Sequence, residues 1–459
     1  MPGTLAQPQP RTGARASVAA ASLPPSQAME KFVIDGGVAL SGTVTPAGNK
    51  NGALPILAAS VLTSEEVIVR NVPQIRDVQA MLELLELLGV RVERRSEHSV
   101  ALCAADVTAD AVVEQTVADR IRASFLLAGP LLARFGRVVM PPPGGDVIGR
   151  RRLDPHLDAF RALGGQERFE GTDIVLEAEG GRLRAGEVFM DEPSVMATEN
   201  ALMAAALTPG TTIIGNAACE PHVQDLARML VKMGAEIEGI GSNRLTVHGQ
   251  AELGGCDHRI APDHIEIGSF MAMAGMTGGE MRITDTEPGD LRMIRLVFEK
   301  LGLRTSFEGN DLLVPGGQKL VVSRDLGDHV YKVQDGPWPQ FPADLTSIAV
   351  ALATQSEGQV LVHEWMFESR LFFCDKLVSM GAKIHISDPH RALVMGPAPL
   401  RGARVDSPDI RAGMAVLLAA LSAEGRTEIY NIRQIDRGYE RIDERLRALG
   451  ARIERVSAE

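Results

Sequence analysis

Lys50, Arg122 and Arg411 each open or just precede an apolar run: ALPILAASVL, ASFLLAGPLLA and GMAVLLAAL. Such runs read as buried helices, and a cation at a helix N-terminus opposes the macrodipole. Three repetitions point to a shared anion, held by cations and helix N-termini together. Asn51 stands beside Lys50, and the equivalent positions elsewhere are acids: Glu199, Glu266 and Asp344. For the acids, capping and solvation of a helix end is the plainer chemistry. Arg151, Arg370 and Arg437 fall at strand-to-helix turns, and unrelated surface arginines would not favour equivalent turns. At Arg151 the turn swells into PPPGGDVIGRRRLDPH, residues 141–156, with Asp146 beside three consecutive arginines. A long glycine-containing loop at a site-facing turn reads as a lid or binding loop.

The elements that must position these groups recur. Six times the chain reads as a small-residue helix, a short turn, a strand, an amphipathic helix and another strand. ENALMAAAL, TPG, TTIIGNA, HVQDLARMLVKMGA and EIEGI form the third copy. The spacing is roughly 70 residues, longer than common solenoid periods, although periodicity alone also admits a stacked solenoid. Each amphipathic helix stops at a glycine: Gly89, Gly164, Gly234, Gly302, Gly381 and Gly450. Glycine suits the left-handed residue that ends a helix. The apolar helices belong at the centre of a globule and the amphipathic ones outside. Three inner helices fill one globule, so six copies make two domains, with a break near Ala261-Pro262-Asp263.

Composition narrows the partners. With 59 acids against 47 bases, a net charge of −12 and 4% aromatics, the chain does not suit a nucleic-acid surface. No apolar run reaches the length of a membrane span. The scattered Cys103, Cys219, Cys256 and Cys374 have no metal-ligand spacing and fit free thiols in a reducing compartment. Residues 1–28 contain no acid and lack the apolar core of a signal peptide. They read as a disordered tail, with Met29 a plausible start.

From residue 29 onward the chain resembles the enolpyruvyl transferases. The resemblance rests on GNKNGALPILAA, RASFLLAGPLLARFG, GGDVIGRRRLDPH, FPADLTSIA, FESR and IDRGYERIDERLRALGARIERV, in that order. It implies an α/β chain with two inverse α/β-barrel-like domains, each of three βαβαββ-type repeats, and substrates in the cleft between them. The first domain would cover residues 50–261 and carry a mobile loop at 141–152. The second would combine 29–49 with 262–459. The branch it resembles most transfers the enolpyruvyl group of phosphoenolpyruvate to the 3-hydroxyl of UDP-N-acetylglucosamine. That reaction belongs to cytoplasmic peptidoglycan synthesis, hence to cell shape and division, and uses neither metal nor organic cofactor.

The resemblance also implies roles. Lys50, Arg122, Arg151, Arg370, Arg411 and Arg437 look like a cradle for phosphoenolpyruvate, whose paired anions suit guanidinium groups. Lys50 and Arg437 also count among the catalytic residues. Asp344 is the expected base for the sugar hydroxyl, alongside its local reading as a helix cap. Asn51, Asp409 and Met366 complete the acceptor contacts, Met366 through its backbone. Asp146 stands where many members carry the cysteine alkylated by fosfomycin. A carboxylic acid there can transfer a proton if it gains one as the lid closes, which implies insensitivity to fosfomycin. The nucleotide would meet Arg152-Leu153-Asp154-Pro155 and Ser194-Val195. There the chain departs from the pattern: Arg152 replaces a proline, and Glu192 replaces a lysine that would attract a diphosphate. Another acceptor, a different nucleotide or shikimate 3-phosphate, therefore stays open, as does a non-catalytic nucleotide-sugar-binding homologue. The oligomeric state is not legible.

Overall fold

A computed structural model describes residues 30–146 and 148–457; the tail expected over 1–28, and Met29, lie outside them. Among the described residues thirteen α-helices alternate with short strands. They are α1 (Lys50–Ala59), α2 (Arg76–Leu87), α3 (Gln115–Ala118), α4 (Ala128–Phe135), α5 (Asp154–Ala162), α6 (Val195–Ala206) and α7 (Pro221–Lys232). The rest are α8 (His264–Thr277), α9 (Arg292–Lys300), α10 (Thr346–Gln355), α11 (Cys374–Ser379), α12 (Ile410–Ser422) and α13 (Ile442–Ala448). The helices α1, α4, α6, α8, α10 and α12 are the apolar ones, and nearly every residue of α8, α10 and α12 is buried. Helices that cannot show water a polar face go to the middle.

The described residues form six small sheets, five of four strands and one of three. Each four-stranded sheet pairs one parallel neighbour with antiparallel ones, as a repeat that enters by a crossover helix requires. The second repeat lacks its parallel strand, and its sheet is Arg137–Met140, Asp173–Ala178 and Gly165–Glu170. One hydrophobic cluster runs from Ala53 to Ile260. The other joins Phe32, Ile34, Leu40 and Val44 to residues from Ile265 to Ile453. Strand Glu30–Asp35 enters the last sheet between Arg426–Tyr430 and Arg452–Ser457, tying the start of the described chain to its end.

The chain passes between the clusters twice, and the two passages are stapled together. Asn49 N–H donates to the Ala261 carbonyl at 2.8 Å, and Asp263 N–H to that of Ala47 at 2.9 Å. Gly48, between them, lies so close to Asn71 that a Cβ would overlap its carbonyl oxygen. The staple leaves Asn49 and Asp263 as side-chain caps of α1 and α8, side by side at the cleft. All six glycines predicted to end the outer helices have positive φ, from 84° to 113°.

Candidate active site

A cavity of about 250 Å³ opens where the inner helices of both lobes point their N-termini. Asn49 caps α1, Ser194 caps α6, Asp263 caps α8 and Asp409 caps α12. Lys50 and Arg411, one and two residues beyond their caps, are thereby aimed across the cleft. The cations are buried there despite the macrodipole, so the wall is built for negative charge.

Asp344 sits in the middle. Its Oδ2 accepts from Arg411 Nε at 3.1 Å and Asn51 Nδ2 at 3.3 Å, and its Oδ1 accepts from Arg370 Nη2 at 3.2 Å. Burial alone would raise its pKa, but Arg411, Arg370 and Lys50 together hold it well below the ordinary carboxylate range. The sequence suggested that Asp344 could cap its helix; it does not. It lies within a 3₁₀ turn, Ala343–Leu345, ahead of α10, and no side chain caps either element. Arg370 Nε and Arg411 Nη1 are buried without a hydrogen-bond partner among the described residues. Buried guanidinium N–H groups left open call for an acceptor.

A second chain of charges runs along the opposite wall. Asp77, at the start of α2, pairs with Lys50 Nζ at 3.1 Å and with Arg437 Nε at 2.9 Å. Arg437 also pairs with Asp146 of the loop. The loop lies closed over the cavity. Ser369 N–H donates to the Ile148 carbonyl at 3.3 Å and Arg150 N–H to Glu368 Oε2 at 3.3 Å. At its base Gly144 passes so near Asp119 that a Cβ would overlap the carbonyl. Arg122 holds it from below, donating to the carbonyls of Arg151 at 2.6 Å and Arg152 at 3.4 Å. Burial, then the neighbouring Arg151, push the Arg122 pKa down to about 10. Arg151 itself is depressed mainly by burial.

The cavity wall therefore gathers Lys50, Asn51, Arg122, Asp146, Arg151 and Val195 with Asp344, Met366, Arg370, Asp409, Arg411 and Arg437. Five of the residues expected to bind substrate stand outside it. Arg152 is half-buried and pairs with Asp191 at 2.8 Å and Glu192 at 3.6 Å, so the two departures from the family pattern neutralise each other. Leu153 packs against the first core, Asp154 and Pro155 form the first turn of α5, and Ser194 caps α6 through its Oγ. Asp77 was not anticipated, because an acid in the first turn of a helix is what the dipole favours. Glu199, Glu220 and His222 also line the cavity. Glu199, a helix-opening acid by its place in the sequence pattern, lies inside α6, buried.

The fold and this cavity define an enolpyruvyl transferase. A sequence model described as EPSP synthase (3-phosphoshikimate 1-carboxyvinyltransferase) matches residues 34–446. The chain is 54% identical to the UDP-N-acetylglucosamine 1-carboxyvinyltransferase of Bradyrhizobium diazoefficiens, over 93% of this chain and 98% of that one. It is 51% identical to the enzyme of that name from Treponema denticola, over 93% and 99%. The enolpyruvyl transferase NikO from Streptomyces tendae superposes with a TM-score of 0.82 at 24% identity, over 94% and 100%. EPSP synthase from Acinetobacter baumannii shares the fold at a TM-score of 0.70, with 18% identity over 93% and 100%. The chain belongs to the EPSP synthase family of enolpyruvyl transferases, and to the UDP-N-acetylglucosamine 1-carboxyvinyltransferases within it.

Proposed function

We propose that the chain transfers the enolpyruvyl group of phosphoenolpyruvate to the 3-hydroxyl of UDP-N-acetylglucosamine and releases phosphate. The carrying observation is the convergence of Lys50, Arg122, Arg151, Arg370, Arg411 and Arg437 on one cavity that holds Asp344 and is roofed by Asp146. The identity to relatives bearing that activity in their names supports the acceptor.

Phosphoenolpyruvate presents a carboxylate and a phosphate, which three buried cations, Lys50, Arg370 and Arg411, and three half-buried ones, Arg122, Arg151 and Arg437, can pair in the closed cleft. An anion that engages Arg370 and Arg411 competes with Asp344 for them. It thereby removes the contacts that make the carboxylate a poor base. Asp344 then takes the proton of the sugar hydroxyl, whose oxygen attacks C2 of phosphoenolpyruvate while C3 gains a proton. Asp146, released from Arg437 as that arginine turns to the phosphate, takes up a proton from solvent beside the bound anion and delivers it to C3. In the second half the C2–O bond to phosphate breaks and C3 gives up a proton. The enol ether and inorganic phosphate leave. The closed loop keeps water from the intermediate. Both substrates are cytoplasmic metabolites, so the reaction belongs in the cytoplasm and feeds peptidoglycan synthesis.

Purified protein given phosphoenolpyruvate and UDP-N-acetylglucosamine should release phosphate only when both are present, and the product should carry the added enolpyruvyl mass. Binding of both without release would overturn the reading. Preincubation with fosfomycin should leave the rate unchanged, because Asp146 offers no thiolate, whereas Asp146→Cys should become sensitive. Stoichiometric inactivation of the unaltered chain would contradict that role for Asp146.

A further inference from the structure

The arginines do not account for the whole cavity. On the wall supplied by the first lobe, three further polar atoms are buried and have no hydrogen-bond partner among the described residues: Glu199 Oε1, Glu220 Oε2 and His222 Nδ1. All three residues line the cavity, and they come from separate places in the chain. Glu199 sits in the second turn of α6. Glu220 stands at the N-cap of α7, yet its side chain makes no cap bond. Instead its Oε1 accepts from the backbone N–H of Trp338 in the other lobe, at 3.3 Å. His222 stacks on His264 with ring centroids 6.2 Å apart, and His264 is fixed by Asn49 Nδ2 at 3.0 Å and packs edge-on against Trp338. Contacts from both lobes hold the shelf, and three of its polar atoms stay open.

Its chemistry differs from that of the cationic wall. Burial, and then Glu220, raise the Glu199 pKa well above the usual range. Glu220 is raised by burial despite the backbone N–H groups that favour its anion. Burial pushes His222 down to about 3. A phosphate or carboxylate would meet two carboxyl groups here, and a cation would meet the six positive side chains of the same cavity. An uncharged ligand offering both donors and acceptors fits.

We infer that Glu199, Glu220 and His222 form a second subsite of the cavity, which binds an uncharged polar part of the acceptor, amide or ring hydroxyl groups of a sugar, by hydrogen bonds. This rests on the proposed function, and it makes these residues determinants of acceptor specificity. A site that hydrogen-bonds a substrate group rejects analogues lacking it, because its own buried groups are then left unpaired.

The test is calorimetric titration of wild-type, Glu220→Leu and Glu220→Gln proteins with UDP-N-acetylglucosamine and, separately, with UDP. The leucine variant should bind the nucleotide sugar roughly 10- to 100-fold more weakly, the range of one lost hydrogen bond to a buried group. UDP affinity should not change, and the glutamine variant, isosteric with a neutral carboxyl, should restore sugar binding. Equal weakening toward both ligands, or no weakening toward either, would overturn the subsite. A wild-type chain that binds UDP but gains nothing from the sugar would overturn the acceptor reading and the subsite with it. If the leucine variant does not fold, infrared difference spectra of the wild type decide. UDP-N-acetylglucosamine should shift a protonated-carboxyl band that UDP leaves in place, and an unshifted band would overturn the subsite.

Discussion

Asp344 is caught between two arginines, and its chemistry follows from which anion holds them. Asp344→Asn removes the base while keeping the shape, so kcat should fall about 10²- to 10⁴-fold in steady-state assays. The same change frees Arg370 and Arg411 of their carboxylate, so phosphoenolpyruvate affinity, followed by titration, should not fall. Arg411→Lys should act the other way, raising the KM for phosphoenolpyruvate, because an ammonium cannot reproduce two directed N–H contacts. At this scale the cations were legible, since a charge that opposes a helix dipole needs an explanation. Asp77 and Glu220 were not, because acids beside helix starts already have a sufficient local reason. Glu199 was visible as a residue but misplaced: it lies a turn inside its helix, and only the packing shows it facing the cleft.

One apolar run behaves unlike the sequence pattern. The apolar pattern of ASFLLAGPLLA predicts one helix, but the chain forms a 3₁₀ segment, Arg122–Leu127, before α4. Pro130 cannot donate within the helix and crowds the carbonyl four residues back. The Gly129 N–H instead bonds Asn200 Oδ1 at 2.9 Å. That asparagine also reaches the Phe125 carbonyl and His156, each at 2.9 Å. A Cβ at Gly129 would lie 2.7 Å from two Asn200 oxygens. Gly129→Ala should therefore cost about 1–3 kcal/mol, read as a lower urea midpoint at unchanged slope. The glycine stops of the outer helices were readable because left-handed backbone leaves a residue-type signature. The junction between Leu127 and Ala128, just ahead of Gly129, was not, since the group that holds Gly129 is a partner some seventy residues away.

At the scale of the whole molecule, the described residues gather into two apolar cores joined by a double crossing, and the repeat count alone leads to an expectation of two domains. The helix composition placed the inner helices, because nothing but burial suits a helix apolar on every side. How the lobes face one another was out of reach, since it depends on pairings such as Asp77–Arg437 and Asn51–Asp344 across hundreds of residues. Burial also leaves a global mark on pH dependence. His156 and His222 are each held neutral with pKa values of about 3, against 6.5 when unfolded. Below about pH 6.5 the unfolded chain binds protons that the folded chain refuses, so stability should fall as pH drops toward 3. Urea melts should show this slope, and His156→Gln should flatten it.

The most direct test of the central claim is a competition. The protein receives phosphoenolpyruvate with equal concentrations of UDP-N-acetylglucosamine and shikimate 3-phosphate, and the products are weighed by mass spectrometry. The account predicts enolpyruvyl-UDP-N-acetylglucosamine and phosphate in equal amounts, with the shikimate compound untouched. Enolpyruvyl transfer to the shikimate compound, or phosphate release without an enolpyruvyl nucleotide sugar, would contradict it.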